Sequence, residues 1–461
     1  MRKLAIVLIV SLTLAGYLSA QNTKPNVVFF LIDDMGWKDL GCYGGNFIET
    51  PFADKLSAEG IRFTNAYASP VCSPTRACLI SGQNAARHGI WEVIDVFDRP
   101  YAKMKSPPKA SELQKHIKTY ANVLTEEGYV CGLVGKWHAG RTPQAHGFAN
   151  IDNNIYDPEL QEYAKENEGH DVGQITANAI EFIRENKDKP FFINISHHVV
   201  HAPLLAREDL IKKYQKKLRQ TGIEDVHPTY AAMAETADES LGMLLDELDA
   251  LNLTKNTVVV LYSDNGGLLG DLYLNTTTPM ATTMTPLRGQ KGSLYEGGIR
   301  VPLIVKWPDK VKPGSVSGEM VNSYDLFSTF IEIGNGKIPT NQQTDGISLV
   351  PLIKGEKETL SREALYWHFP TSQWTRNPAG AIRKGKYKLI EHFEDGRLEL
   401  FDLDDDIGET NNLINKKPVI AYQLLNDLKN WRELVGAQMP IPNPDYDPLR
   451  EKELGYHKFL E

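Results

Sequence analysis

Two sets of side chains in this sequence are of types that do chemistry, and most of them fall directly behind apolar runs. Asp33 and Asp34 close the run NVVFFLIDD, and Asp264 and Asn265 follow NTVVVLYS. Three carboxylates and one amide oxygen form a hard-oxygen donor set. It suits Ca²⁺ or, less well, Mg²⁺, and is poor for zinc or copper. Carboxylates crowded together without a cation would repel one another, so the pattern predicts a divalent ion. Asp33 and Asp34 by themselves would read as a helix or turn cap. The second set is Arg76, Lys136, His138, His201 and Lys291. These could clamp an oxyanion and move protons. Taken singly, each lysine reads as a solvated surface group and each histidine as a satisfied structural one. The glycines of GQKGSLYEGGIRVP, around Lys291, tilt that reading because they let backbone approach a ligand closely.

Residues 71–82, VCSPTRACLISG, place Cys72 in a Cys-x-Pro-x-Arg pentapeptide ahead of a predicted short helix. Two readings stand on these residues alone: a buried thiol beside a helix cap, or the precursor of a nucleophile.

Such groups need elements that bring them together. Residues 26–34 read as a fully buried strand. In TPFADKLSAEG, Thr50 can cap a helix, Pro51 fits its first position and Gly60 stops it. A strand over IRFTNAYA follows, then the Cys72 helix, with Ser73 as cap and Gly82 as terminator. YANVLTEEGYVCGLVGKWH repeats the pattern of helix, glycine and strand. PFFINISHH, NTVVVLYSDNGG and VPLIVKWP give further strands. ANAIEFIREN and the stretch holding Met233, Ala237, Leu241, Leu244 and Leu248 give helices. The alternation predicts a large, mostly parallel α/β sheet flanked by helices on both faces. Sites in that architecture form beyond the carboxyl ends of strands, where Asp33, Asp34, Lys136, His138, His201, Asp264 and Asn265 all fall. After about residue 345 the composition changes. GAIRKGKYKLIEHFEDGRLELFDLDDD reads as antiparallel hairpins turning at Glu394-Asp395-Gly396, followed by an amphipathic helix. The expected organisation is a signal peptide over 1–20, an α/β catalytic domain over 21–345 and a smaller α+β domain over 346–461.

The first residues combine a basic start (Arg2, Lys3), a short apolar run and a Leu-Ser-Ala site, which predicts export to the periplasm or medium. Nothing else predicts a membrane span. A net charge of −9 weighs against nucleic acid as a partner, while leaving room for a small anionic substrate gripped by focused cations. Cys42, Cys72, Cys78 and Cys131 are too scattered for a disulfide framework. Asn194, Asn252 and Asn275 open glycosylation sequons, Asn194 inside an apolar strand.

Cys72-Ser73-Pro74-Thr75-Arg76 followed by ACLISG resembles the signature of the sulfatases. GKWH at 135–138, HAP at 201–203, SDNGG at 263–267 and RGQKGSLYEGGIRVP at 288–302 resemble the family's other blocks, in the same order. The N-terminal strand ending in two aspartates and the C-terminal KYKLI…LELFDLDDDIGETNNL fit as well, so the resemblance covers nearly the whole mature chain. It implies an alkaline phosphatase-like fold and a formylglycine made from Cys72 by a separate maturation enzyme that reads the pentapeptide. The hydrated aldehyde offers two hydroxyls: one takes the sulfate, and the other collapses to the aldehyde and expels it. A serine would remain as a stable sulfate ester. By the same resemblance Asp33, Asp34, Asp264, Asn265 and modified Cys72 bind Ca²⁺, and Arg76 orients the diol. Lys136 and Lys291 grip sulfate oxygens. His201, with Lys291, protonates the leaving hydroxyl, and His138 helps deprotonate the second hydroxyl. The substrate implied is a sulfated carbohydrate, as in polysaccharide degradation. His368, Trp374 and Arg376 in YWHFPTSQWTRNP are candidate sugar contacts. Two rivals remain from this reading: a phosphonate or phosphodiester hydrolase of the same superfamily, and a sulfated-glycan-binding relative without activity.

Overall fold

The computed structural model describes residues 24–94, 99–149, 151, 155–223, 225–269, 281–372 and 377–453. The signal-peptide reading over 1–20 and the Asn275 sequon lie outside these residues. Among the described residues no helix is long and apolar enough to cross a membrane.

A seven-stranded sheet carries the larger part of the chain. Its strands are β1 (Asn26–Ile32), β2 (Ile61–Phe63), β3 (Val130–Gly135), β4 (Phe191–Ser196), β5 (Thr257–Ser263), β6 (Leu303–Lys306) and β7 (Ser315–Ser317). Their spatial order is β3-β4-β1-β5-β6-β2-β7. Only β6 runs against its neighbours; every other pairing is parallel. The strand expected over IRFTNAYA is split, β2 being followed by a separate short strand at Ala66–Tyr67.

The central strand shows why both faces carry helices. Successive side chains of a strand point to opposite faces, and both sets in β1 are apolar and buried. Val28, Phe30 and Ile32 enter a core with residues of the helices Val172–Asn186 and Pro228–Ala250. Val27, Phe29 and Leu31 enter a second core with residues of Cys72–Ser81, Tyr120–Glu126 and Ser323–Ile333. Leu349, Val350, Leu352 and Ile353 still pack in that second core. A second sheet begins at Ala364, after these residues. The second sheet is antiparallel, in the order β8 (Ala364–Phe369), β9 (Ala379–Lys384), β10 (Tyr387–His392) and β11 (Leu398–Asp402). One face is covered by the helix Pro418–Val435, through Ala421, Leu424 and Leu428.

Two expected caps are replaced. Helix Pro51–Glu59 has Thr50 at its N-cap without a side-chain bond. The Asp238 carboxylate, from the helix Pro228–Ala250, accepts from Phe52 N–H at 2.9 Å and Ala53 N–H at 2.7 Å instead. In the Cys72 helix Val71 is the N-cap and Ser73 lies inside, where its hydroxyl accepts from Ile94 N–H at 3.3 Å. Gly82 does end that helix, in the left-handed conformation at φ 71° that glycine adopts without strain. Cys42, Cys72, Cys78 and Cys131 are all free. Asn194 is buried in β4 and donates to the Tyr120 hydroxyl at 3.1 Å, so its sequon is closed in the folded chain.

His197, directly after β4, is wholly buried against Phe30 and bonded through Nε2 to the Ser240 hydroxyl at 3.1 Å. Burial pushes its pKa down to about 3, and burial does the same to His88. The unfolded chain therefore binds protons at these positions below about pH 6.5 while the folded one does not. Stability contributed by the neutral rings is present above that pH and is lost as pH falls toward 3. Urea midpoints should drop between pH 7 and pH 5 by an amount corresponding to roughly 1 kcal/mol per pH unit per histidine. His197→Gln should flatten the slope; an unchanged slope would show that this ring does not carry it.

Candidate active site

Strand register brings the first set of residues together. Ile32 of β1 pairs with Ser263 of β5, Leu31 with Ser196 of β4, and Ser196 with Gly135 of β3. The residues immediately beyond these, Asp33 and Asp34, Asp264 and Asn265, Lys136, and the loop to His201, thus emerge along one sheet edge. Asp34 turns there with φ 65° and His138 with φ 51°, left-handed conformations that non-glycine residues seldom adopt and that concentrate at functional sites. The N-terminus of the Cys72 helix and the loop carrying Lys291 complete the surround.

The charges are paired, and all but the partly exposed Lys136 are buried. Arg76 donates through Nε to Asp264 Oδ2 at 2.9 Å and reaches Asp33 Oδ2 at 3.4 Å. Its Nη1 holds the Lys136 carbonyl at 2.9 Å and the Ser196 hydroxyl. Lys136 is paired with Asp33. Lys291 donates to both oxygens of Asp34, at 2.6 and 2.8 Å. Asn265 Nδ2 donates to Asp34 Oδ1 at 2.7 Å, and Asp34 N–H to Asp264 Oδ1 at 3.2 Å. His201 Nε2 lies 3.8 Å from Asp34 Oδ2, and its Nδ1 is bonded to the Ala202 carbonyl at 2.6 Å. Cys72 Sγ and His138 Nδ1 are 3.3 Å apart. The sequence-predicted residues Asp33, Asp34, Cys72, Arg76, Lys136, His138, His201, Asp264, Asn265 and Lys291 are therefore assembled in one place.

Burial alone would raise the Asp33 carboxyl, but Lys136, His201, Arg76 and Lys291 outweigh it and hold it well below the ordinary carboxylate value. Asp264 goes the other way, to about 6, through burial and the neighbouring Asp33 charge. The Lys291 and Lys136 ammonium groups are stabilised: burial opposes them, but the facing carboxylates win. Burial raises the Cys72 thiol. His138 is pushed down to about 3 by burial and by Lys136 and Arg76, so its ring is neutral. His201 is lowered first by the Lys291 charge and then by burial.

Two polar atoms of the set have no hydrogen-bond partner: Asp33 Oδ1 and Asn265 Oδ1, both fully buried. An unpartnered buried acceptor costs about 1–3 kcal/mol. Both orphans belong to the predicted ligand residues, and Asp33, Asp34 and His201 each offer an atom within 4.8 Å of the others. The donor set therefore fits a hard divalent cation.

The sequence reading missed Ser196, which fixes Arg76, and His198, whose pKa is pushed down to about 4 by burial and Lys136. Both sit at the end of β4, where the strand-end logic would have found them; a serine and the first histidines of SHHVVH are too common to stand out. His368 is corrected. It is a buried residue of β8, bonded through Nε2 to the Gln438 carbonyl at 2.8 Å and packed edge-on to Trp91 and against Phe393. Both faces of β8 are covered, and the ring is enclosed by these contacts. Trp374 and Arg376 lie outside the described residues.

The sulfatase family profile matches residues 25–336, and a profile for the C-terminal part of N-sulphoglucosamine sulphohydrolase matches residues 290–434. A sulfatase of Formosa agariphila is 30% identical over 89% of this chain and 89% of its own. The N-acetylgalactosamine-6-O-sulfatase of Bacteroides thetaiotaomicron is 27% identical over 88% of this chain and 93% of its own. A solved structure described as "Crystal structure of Ps i-CgsB" superposes with a TM-score of 0.73 at 25% identity, covering 92% of this chain and 95% of the other. Fold and site together define a hydrolase of alkaline phosphatase-like architecture. The chain belongs to the sulfatase family and is a sulfuric ester hydrolase.

Proposed function

We propose that this protein is an exported sulfatase of a sulfated glycan, acting through a formylglycine made from Cys72 and a bound Ca²⁺. The observation that carries the catalytic reading is the convergence of Cys72, His138, two lysines and the orphaned Asp33 and Asn265 oxygens at one sheet edge. The glycan is supported by the names of relatives such as the N-acetylgalactosamine-6-O-sulfatase, and export by the N-terminal sequence.

Asp33, Asp34, Asp264 and Asn265 would hold the cation, which when bound supplies Lewis-acid polarisation of a sulfate oxygen. The hydrated aldehyde at position 72 would supply a nucleophile that can be regenerated without attack of water on sulfur. Arg76, Lys136 and Lys291 already balance Asp33, Asp34 and Asp264 in number. A bound divalent cation would share the carboxylates that now hold Lys136 and Lys291, leaving both ammonium groups available to the oxygens of an anionic ester. Arg76, held by Asp264 and Ser196, orients the side chain at 72 from one turn further along the helix. Neutral His138 takes a proton at Nδ1, beside the position of Sγ. His201 keeps one proton at Nδ1 on the Ala202 carbonyl, so its acid role needs a second at Nε2. The negative charge of a bound ester offsets the Lys291 field that lowers its pKa.

His201→Ala should lose roughly 10²–10⁴-fold on a sugar sulfate, whose alkoxide must be protonated as the S–O bond breaks. It should lose far less on nitrophenyl sulfate. Equal losses would take the acid role away from His201. Rates of the wild-type enzyme on paired sulfate and phosphate esters, followed by a panel of defined sulfated sugars, test the function itself; preference for the phosphate esters would overturn it.

A further inference from the structure

The loop that carries Lys291 is stitched to everything around it. Lys291 N–H donates to the Gly267 carbonyl at 3.0 Å, and Gly292 N–H to the Pro70 carbonyl at 2.5 Å. Gly266 N–H donates to the Gly298 carbonyl at 3.0 Å. The approach there is so close that a Cβ on Gly266 would overlap the Gly297 carbonyl oxygen. One stretch of chain thus joins the lysine, the Asp264–Asn265 strand end and the approach to Cys72.

That stretch is anchored from the second domain, at Glu296. The Glu296 carboxylate accepts from Lys388 Nζ at 2.8 Å and from the Tyr67 hydroxyl at 2.7 Å. Its backbone N–H donates to Glu409 Oε2 at 2.6 Å. Lys388 Nζ also lies 2.9 Å from Glu409 Oε1, an ion pair off the angle of a hydrogen bond. Arg288, at the start of the loop, donates to the Glu409 carbonyl at 3.0 Å. Glu296, Lys388 and Glu409 have no solvent exposure, and Glu409 holds a left-handed φ of 52°. Burying three charged groups is costly, and apolar residues of similar volume often join two domains at least as well. What the charges add is direction: Glu296 Oε1 faces Lys388, its Oε2 faces the Tyr67 hydroxyl and, at 3.3 Å, Arg300 Nη1, and its N–H faces Glu409.

We propose that Lys388 and Glu409 are positioning residues for sulfate ester cleavage: by fixing Glu296 from the second domain, they set where the Lys291 ammonium and the Asp264–Asn265 strand end stand. The proposal rests on the reading of Lys291 as a sulfate grip.

A double-mutant cycle between Glu409 and Lys291 tests it, with kcat and KM measured on an aryl sulfate per folded molecule and inorganic sulfate as inhibitor. Glu409→Gln keeps the shape but sets an amide against Lys388. It should fold, lose roughly 10–100-fold in kcat/KM and bind sulfate more weakly, since misplacing a positioned group by about 1 Å can cost on the order of 10²-fold. In the Lys291→Ala background the same change should cost little, because coupled residues are not additive. Glu409→Ala should behave alike; if it does not fold, Glu409→Gln carries the test. A lowered melting temperature with unchanged kcat/KM per folded molecule overturns the proposal, as does the same loss in both backgrounds. Full activity of Lys291→Ala alone would remove the sulfate grip and this proposal with it. A crippled Lys291→Ala beside an unimpaired Glu409→Gln would remove the positioning role only.

Discussion

On the proposed mechanism Cys72→Ser should abolish turnover, with a loss on the order of 10³–10⁶-fold, the scale seen when a covalent nucleophile is removed. The reason is the second hydroxyl. A serine oxygen at this position still faces neutral His138 and the buried lysines, so it can be made to attack. Once sulfated, it has no neighbouring hydroxyl to expel the anion, and the protein stops after one event. The thiol is no better: burial raises its pKa and keeps it protonated, and thiolate is a soft ligand beside a hard-cation site. Cys78→Ser should stay active, since Cys78 sits away from that centre against His88 and Ser69. Mass spectrometry of the Cys72 peptide beside the measured rate checks this. Activity should track the aldehyde-bearing fraction across preparations, and full turnover from wholly unmodified thiol would refute the mechanism.

Removing the divalent ion should be as damaging. Chelated protein should lose activity and regain it when Ca²⁺ is returned, and the ion should also be visible without catalysis. A ligand that binds only the folded state adds about 2.7 kcal/mol at a hundred times its dissociation constant. Metal-free protein should therefore melt several degrees higher when Ca²⁺ is added. Asp33→Asn takes away a charge while nearly keeping the shape around the orphaned Oδ1. It should show little calcium-dependent shift, a low ion content by elemental analysis and a large fall in kcat. Equal melting of wild type with and without Ca²⁺, together with full activity after exhaustive chelation, would remove the cation from the reaction.

The candidate site residues were readable because their positions obey a rule that is local in sequence. Apolar strands of a parallel sheet are recognisable as runs, and the residues at their carboxyl ends land on one edge. Asp33, Lys136, His201 and Asp264 could be gathered from strand ends alone, without knowing the strand order. Cys72, Arg76 and Lys291 do not come directly after strands; the pentapeptide and the glycine-rich flanks marked them. The sugar contacts were a different problem. His368 sits in a segment rich in aromatics and charges, as a sugar-binding loop would, but β8 is covered on both faces, so the ring is buried whichever way it points. The caps failed for a related reason. Asp238 reaches the helix Pro51–Glu59 from more than 180 positions away in the chain, a relation that only packing creates. Lys388, Glu296 and Glu409 went unremarked in the sequence, and nothing in their neighbours tells that they are buried together.

The burial of the Cys72 helix also fixes an order of events. Every residue of Cys72–Ser81 is buried, Cys72 at 2% exposure, with its pentapeptide already coiled. An enzyme that must recognise those residues cannot reach them in the finished molecule. If Cys72 is matured as proposed, the chain has a deadline: oxidation of the thiol must precede closure of the sheet edge around it. Molecules that close first are locked out, however stable they are. A preparation can thus be uniformly folded and still a mixture of competent and permanently silent copies, its ratio set by a race during synthesis.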